Sequence, residues 1–286
     1  MTSEFVLTLS CPGRPGLLHA VTAFLLEHGC DITEHQQFDD EEHGSVFLRT
    51  SFTRPAGVTL ETLDGLQESF VRVAAAYGME WQLRDASVKP RVLVMVSKFG
   101  HCLADLLYRW RSNALDAEIV LVASNHPDLE PMAAAEGVPF THIPITADTK
   151  PEAEAELLAL VEEHQVDLVV LARYMQVLSD ELCKELEGRA INIHHSFLPS
   201  FAGAKPYHQA HRRGVKLVGA TAHYVTADLD EGPIIEQEII RVDHRSSPDQ
   251  LVTVGRDAER LALARAVNWH CQGRILLHGN RTVVFS

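Results

Sequence analysis

At 286 residues the chain exceeds the usual single-domain size of about 100–150 residues, so two domains are the first expectation. Hydrophobic residues make up 46% and charged residues 22%, a globular balance with ample material for a core. The formal net charge of −14, from 39 acidic and 25 basic side chains, argues against a nucleic-acid partner, because that affinity comes largely from Lys and Arg neutralising phosphates.

Arg212, Arg213 and Lys216 form a small basic group, read as a solvated loop. Cys11, Cys30, Cys102, Cys183 and Cys271 are scattered, odd in number and without a C-x-x-C pair, so neither a disulfide framework nor a metal site is expected. The opening MTSEFVLTLS has no basic leader, and no apolar run approaches the about 18 residues of a membrane span. A cytoplasmic chain without a membrane partner is expected.

Residues 1–84 read as a compact α+β unit. Glu4–Ser10 alternates like a strand, and Cys11–Gly16 is a turn whose Pro15 suits a helix start. Leu18, Val21, Leu25 and Leu26 give one apolar helical face, ended by Gly29. Asp31–Phe38 and Ser45–Thr53 read as strands across an acidic turn, Leu60–Tyr77 as a helix and Met79–Leu83 as a strand. The order β-α-β-β-α-β is ferredoxin-like. With its R-P-G-L-L opening the unit is similar to an ACT domain, a module that commonly binds small effectors such as amino acids, often at a dimer interface. The resemblance implies an amino-acid effector site at the loop Gly13–Leu17 and a homo-oligomer.

Residues 85–90 read as a linker, and from Arg91 to the end at 286 the pattern changes. Val92–Val96, Ile119–Ala123 and Leu168–Leu171 are short continuous apolar runs, typical of strands buried on both faces. Helical stretches His101–Ser112, Leu129–Glu136 and Pro151–His164 lie between them, which predicts a mostly parallel, Rossmann-like α/β sheet. Gly219–Val225 and Ile234–Val242 are expected to continue the sheet. Pro248–His270 is expected as a long helix, and Arg274–Phe285 as a hairpin turning at His278–Asn280.

Ligands of such sheets bind beyond the carboxyl ends of the strands. The strand Ala190–Ile193 ends there and places Asn192 and His194 on one face, since side chains two apart share a side. An amide donor beside an imidazole suits a developing oxyanion, and a third partner, a carboxylate, lies downstream among Asp228, Asp230 and Glu231. Ser196 lacks the G-x-S-x-G elbow of a nucleophile.

Asn192-x-His194, then Ser196-x-Leu198-Pro199-x-Phe201, and later His223 and Asp230-x-Gly232, resemble the catalytic core of the 10-formyltetrahydrofolate-dependent formyltransferases. Residues 201–237, FAGAKPYHQAHRRGVKLVGATAHYVTADLDEGPIIEQ, most resemble the members that hydrolyse the formyl folate instead of transferring its formyl group. The likeness extends over nearly the whole chain. It implies that Asn192 and His194 hold the formyl oxygen, that Asp230 manages protons, and that His223 supports them.

By the same resemblance Ala172–Ser179 is the folate-binding segment. Arg173, Tyr174, Met175, Gln176 and Leu178 make one wall of the pocket, and Val225, Thr226 and Asp228 the other. His195 stands where several members carry proline and is expected, with Lys205 and Tyr207, at the water or acceptor side. Related glycinamide-ribonucleotide transformylases carry a Gly/Ser-rich first turn for a substrate phosphate, whereas Ser97–Cys102 has a single glycine. That disfavours a phosphorylated acceptor. The implied reaction is hydrolysis of 10-formyltetrahydrofolate to formate and tetrahydrofolate without cofactor or metal. Transfer to a small amine is the enzyme alternative, and a regulator that only binds folate is the alternative without catalysis. A carboxylate near an imidazole favours the imidazolium, whereas burial can raise the carboxylate pKa towards neutrality, and the sequence leaves open which of the two carries the proton.

Overall fold

The computed structural model describes residues 3–54, 63–198 and 206–286, and the chain divides into two compact units. Met1–Lys89 with Gln272–His278 and Val283–Ser286 make the first, and Pro90–Cys271 with Gly279–Thr282 the second.

The first unit carries β1 (Ser3–Pro12), α1 (Leu17–Glu27), β2 (Asp31–Asp40), β3 (Ser45–Arg54), α2 (Leu63–Tyr77) and β4 (Glu80–Asp85). They form an antiparallel sheet of order β2-β3-β1-β4. Phe5, Leu7 and Leu9 of β1 alternate into a core shared with Val21 and Phe24 of α1 and Leu66 and Phe70 of α2. That is the α+β arrangement expected from the alternating pattern.

The local pattern of the last residues continues the second unit, yet most of them fold with the first. Arg274 Nη2 lies 3.2 Å from Glu34 and His278 Nε2 lies 2.7 Å from Asp40. Charge pairs spanning more than 200 residues of chain leave no local signature.

The second unit carries β5 (Arg91–Val96), α3 (His101–Arg111), β6 (Glu118–Ser124), α4 (Glu130–Ala135), β7 (Phe140–His142), α5 (Lys150–Glu163), β8 (Leu168–Leu171), α6 (Asp180–Glu185), β9 (Ala190–His194), α7 (Pro206–Arg213), β10 (Leu217–Tyr224), β11 (Ile234–Arg241) and α8 (Pro248–Cys271). After them β12 (Ile275–His278) and β13 (Arg281–Val284) form a hairpin, with Gly279 at φ +57° in its turn. The sheet order is β11-β10-β9-β8-β5-β6-β7. From β9 to β7 neighbouring strands run parallel, whereas β10 and β11 are antiparallel additions. Strand β5 is first in the chain and has β6 on one side and β8 on the other, so the strand order reverses there, the place where such sheets bind ligands.

Strand β7 and helices α6 and α7 do not stand out in the sequence. Three and six residues are too few to show a period, and PYHQAHRR of α7 has no apolar stripe to count. Helix α6 does carry a local start signal, because the Ser179 hydroxyl accepts from the Leu182 N–H.

Leu93 of β5 is fully buried in the second unit's core with Leu121, Val169 and Leu157. Leu93→Ala is expected to destabilise that unit by about 3 kcal/mol, read as a lowered urea midpoint at unchanged slope.

Candidate active site

Four polar side chains converge at the carboxyl end of β9. The strand delivers Asn192 and His194 on one face, as its two-residue period requires. Strand β10 runs antiparallel beside it, and its register sets His223 opposite Asn192 and Thr221 opposite His194. Asn192 Nδ2 therefore lies 3.2 Å from His223 Nε2. His223 Nδ1 is 2.8 Å from the Tyr224 carbonyl oxygen. A carbonyl can only accept, so Nδ1 carries a hydrogen.

Asp230 comes from the loop between β10 and β11. Its Oδ2 lies 3.1 Å from His194 Nδ1 and its Oδ1 3.7 Å from His223 Nε2. His194 thus turns one ring nitrogen to the carboxylate, while its buried Nε2 has no hydrogen-bond partner within the chain. Of the three downstream acids, Asp228 and Glu231 are exposed and Asp230 is the one that reaches the imidazoles.

A cavity of about 240 Å³ opens on this group. Arg173, Tyr174, Met175, Gln176 and Leu178 line it from the segment after β8, and Val225 and Thr226 from the segment after β10. Tyr174 and Leu178 are buried and form the floor, whereas Met175 is half exposed. Ser97 at the end of β5 anchors this wall, accepting from the Met175 N–H at 3.0 Å while its hydroxyl donates to Asn125 Oδ1 at 2.6 Å. The strand-β5 turn thus ties down a neighbouring loop.

Other expected site residues lie elsewhere. Asp228 does not line the cavity; its carbonyl accepts from the Thr226 hydroxyl at 3.1 Å and so shapes the loop. Tyr207 is buried on α7, donating to Glu259 Oε1 at 3.0 Å. Its ring fills the space beside Gly255, where an added Cβ would stand 2.1 Å from Tyr207 Cζ. Lys205 lies outside the described residues. His195 does line the cavity, its ring stacked on His194 at 5.1 Å between centroids.

Glu259, His101 and Leu229 are not singled out as site residues by the sequence. Glu259 and His101 pair at 2.7 Å, and Leu229 adds to the cavity wall. A glutamate inside the amphipathic stretch Pro248–Cys271 reads as a surface residue, and only the packing makes it 1% exposed. Among the described residues two groups have metal-compatible spacing, Asp40 with His43 and His278, and His101 with Cys102 and Glu259; neither includes Asn192, His194 or Asp230.

At Asp230 the two opposed effects named from the sequence, burial and the neighbouring imidazoles, do not balance. Burial works to raise its pKa, but the hydrogen bonds and charges of His194 and His223 outweigh it and hold the carboxyl well below the usual carboxylate range. The acid is ionised. His195 behaves oppositely: burial first, and the Arg173 charge second, push its pKa down to about 4, which leaves a neutral ring near pH 7.

The backbone holding Asp230 is strained. Asp230 sits at φ +59°, a left-handed conformation that aspartate tolerates better than most residues. Two residues on, Gly232 passes so close to β10 that an added Cβ would lie 1.8 Å from the Tyr224 carbonyl oxygen and 3.3 Å from His223 Nδ1. That carbonyl is the one fixing the His223 tautomer. Gly232→Ala is therefore expected to displace His223 and Asp230 together and to lower kcat roughly 100-fold, with far-ultraviolet circular dichroism unchanged.

Comparison with known proteins identifies the family. The formyl transferase family model matches residues 90–267, and the ACT domain model residues 5–66. The formyltetrahydrofolate deformylase of Corynebacterium sp. (strain P-1) is 58% identical over 279 residues, covering 98% of this chain and 97% of its own length. The crystal structure of the formyltetrahydrofolate deformylase from Burkholderia mallei superposes with a TM-score of 0.93 at 54% identity, covering 99% of this chain and 100% of that one. That from Pseudomonas syringae pv. tomato gives 0.96 at 48%, covering 100% and 95%. Identity at this level, sustained through both units, means that the chain belongs to the formyltetrahydrofolate deformylase family.

Proposed function

We propose that this chain hydrolyses 10-formyltetrahydrofolate to formate and tetrahydrofolate, with water as the nucleophile and without a resident metal or cofactor. One observation carries the reading: an amide, two imidazoles and an ionised carboxylate from β9, β10 and the loop after it meet at one cavity mouth. The deformylase relatives act, by their names, on formyltetrahydrofolate.

The pterin would lie along the wall Arg173–Leu178, against the apolar floor of Tyr174 and Leu178, and this places the formyl group at Asn192 and His194. Water adds to the formyl carbon, and the carbonyl π electrons move to oxygen. The oxyanion is met by the Asn192 amide, a donor already in place before reaction, and by His194 Nε2 once that nitrogen has taken a proton. Asp230 fixes the His194 ring through Nδ1 and stabilises its charged form, in the way that a triad aspartate serves its histidine. The neutral His195 accepts a hydrogen bond from the attacking water. As water adds, one of its protons passes to the His194–Asp230 pair and from there to N10 as the C–N10 bond breaks; the formic acid left behind gives its remaining proton to solvent and becomes formate.

Formate released in this way would feed purine synthesis and balance one-carbon pools. The N-terminal unit would govern it by binding an amino-acid effector at Gly13–Leu17, where Gly16 at φ +87° sets the entry to α1, and by pairing protomers into a homo-oligomer.

The test is release of formate from 10-formyltetrahydrofolate by pure protein with no amine present. Stoichiometric formate is expected, whereas a transferase would release little. In the same assay Asn192→Ala is expected to lower kcat by about 100- to 1,000-fold, and Asp230→Asn by roughly 100-fold or more. An Asp230→Asn protein as active as the parent would remove the proposed mechanism.

A further inference from the structure

The charged cluster around Glu259 takes no chemical step in the mechanism above, although its Arg173 belongs to the cavity wall. Glu259, on α8, is 1% exposed and carries three partners. Its Oε2 lies 2.7 Å from His101 Nε2 and 3.4 Å from Arg173 Nε, while Oε1 accepts from Tyr207. Burial works to raise the Glu259 pKa, but His101 and Arg173 outweigh it, so the carboxylate is ionised.

This is not a metal site. His101, Cys102 and Glu259 have the spacing for one, but the permanent Arg173 cation already sits beside the same carboxylate oxygen. Burial also pushes the Cys102 thiol far above its ordinary pKa, and ligation needs the thiolate.

Arg173 itself is tightly constrained. It adopts φ +67°, an uncommon backbone for a bulky side chain, and its guanidinium carbon lies 5.6 Å from the centroid of the Phe99 ring. The buried Nη1 makes no hydrogen bond within the chain. The same side chain lines the reaction cavity together with His194 and His195.

We propose that Arg173, tethered by Glu259, receives the formate anion as it leaves the formyl carbon. The inference rests on the hydrolytic reading and names where its product goes. Hydrolysis turns an uncharged formamide into a carboxylate within reach of the ionised Asp230, and like charges at that range repel. A guanidinium offers a carboxylate two parallel N–H donors, and a one-carbon acid is small enough to enter beside it. Glu259 offsets most of the Arg173 charge, which keeps the affinity low and lets the product depart. The tether also explains why a carboxylate is buried on a helix whose other inward residues are apolar or small.

The experiment is a titration of the full chain with ¹³C-formate, followed by line broadening and so independent of turnover. Saturable binding is expected for the parent. Arg173→Gln is expected to weaken it at least about tenfold, with Arg173→Lys between the two because it keeps the charge and loses the paired donors. Formate as a product inhibitor should follow the same order. If Arg173→Gln fails to fold, Arg173→Lys carries the test alone. Equal formate affinity in the folded variant and the parent, or no saturable binding to the parent, overturns the receiver. A parent that binds formate through Arg173 but releases none from the formyl folate overturns the hydrolytic reading and the product assignment with it.

Discussion

The site depends on one pairing, the antiparallel register of Ala190–His194 against Leu217–Tyr224. It sets His223 opposite Asn192 and lets the histidine orient the amide. A slip of one residue would turn every side chain of one strand to the opposite face, burying Ile193 where His194 belongs. The chain after β9 is fixed to the same strand. Thr221 donates to the Ser196 carbonyl at 3.0 Å and accepts from the Leu198 N–H at 3.1 Å. Gln237 of β11 adds a bond to the Leu198 carbonyl at 3.0 Å. Two antiparallel strands added to a parallel sheet therefore do more than extend it; they supply His223 and hold the loop that follows His195.

Two residues near the chemistry, Arg173 and Asp230, occupy left-handed backbone conformations. Such positions cost on the order of 1–3 kcal/mol each and persist where the surroundings fix them. For Asp230 the surroundings are the two imidazoles and the tight passage of Gly232 under Tyr224. For Arg173 they are Glu259 and the face of Phe99. The strain is offset by large apolar cores in each unit and is confined to the loops beyond the strands.

Opposed electrostatics follow from this framework. Asp230 and Glu259 are both partly or wholly buried, and both stay ionised because cationic or hydrogen-bonding partners outweigh desolvation. His195, lacking such a carboxylate partner and facing Arg173, is kept neutral. Adjacent histidines in the sequence thus meet different surroundings: the His194 ring faces a carboxylate, and the His195 ring is buried beside a cation.

Much of this was legible in the residues alone. Strand periodicity put Asn192 and His194 on one face, continuous apolar runs gave the parallel sheet, and alternation gave the α+β unit, because these patterns are local consequences of backbone geometry. The Asp-x-Gly spacing singled out Asp230 over Asp228 and Glu231. Tertiary structure alone decided the rest. The register of β9 against β10, the withdrawal of Tyr207 from the cavity, the low pKa of Asp230 and the burial of Glu259 all depend on partners brought in from other elements of the chain. A carboxylate's pKa and a glutamate's burial belong to the neighbours it meets after folding, and no window of sequence contains them.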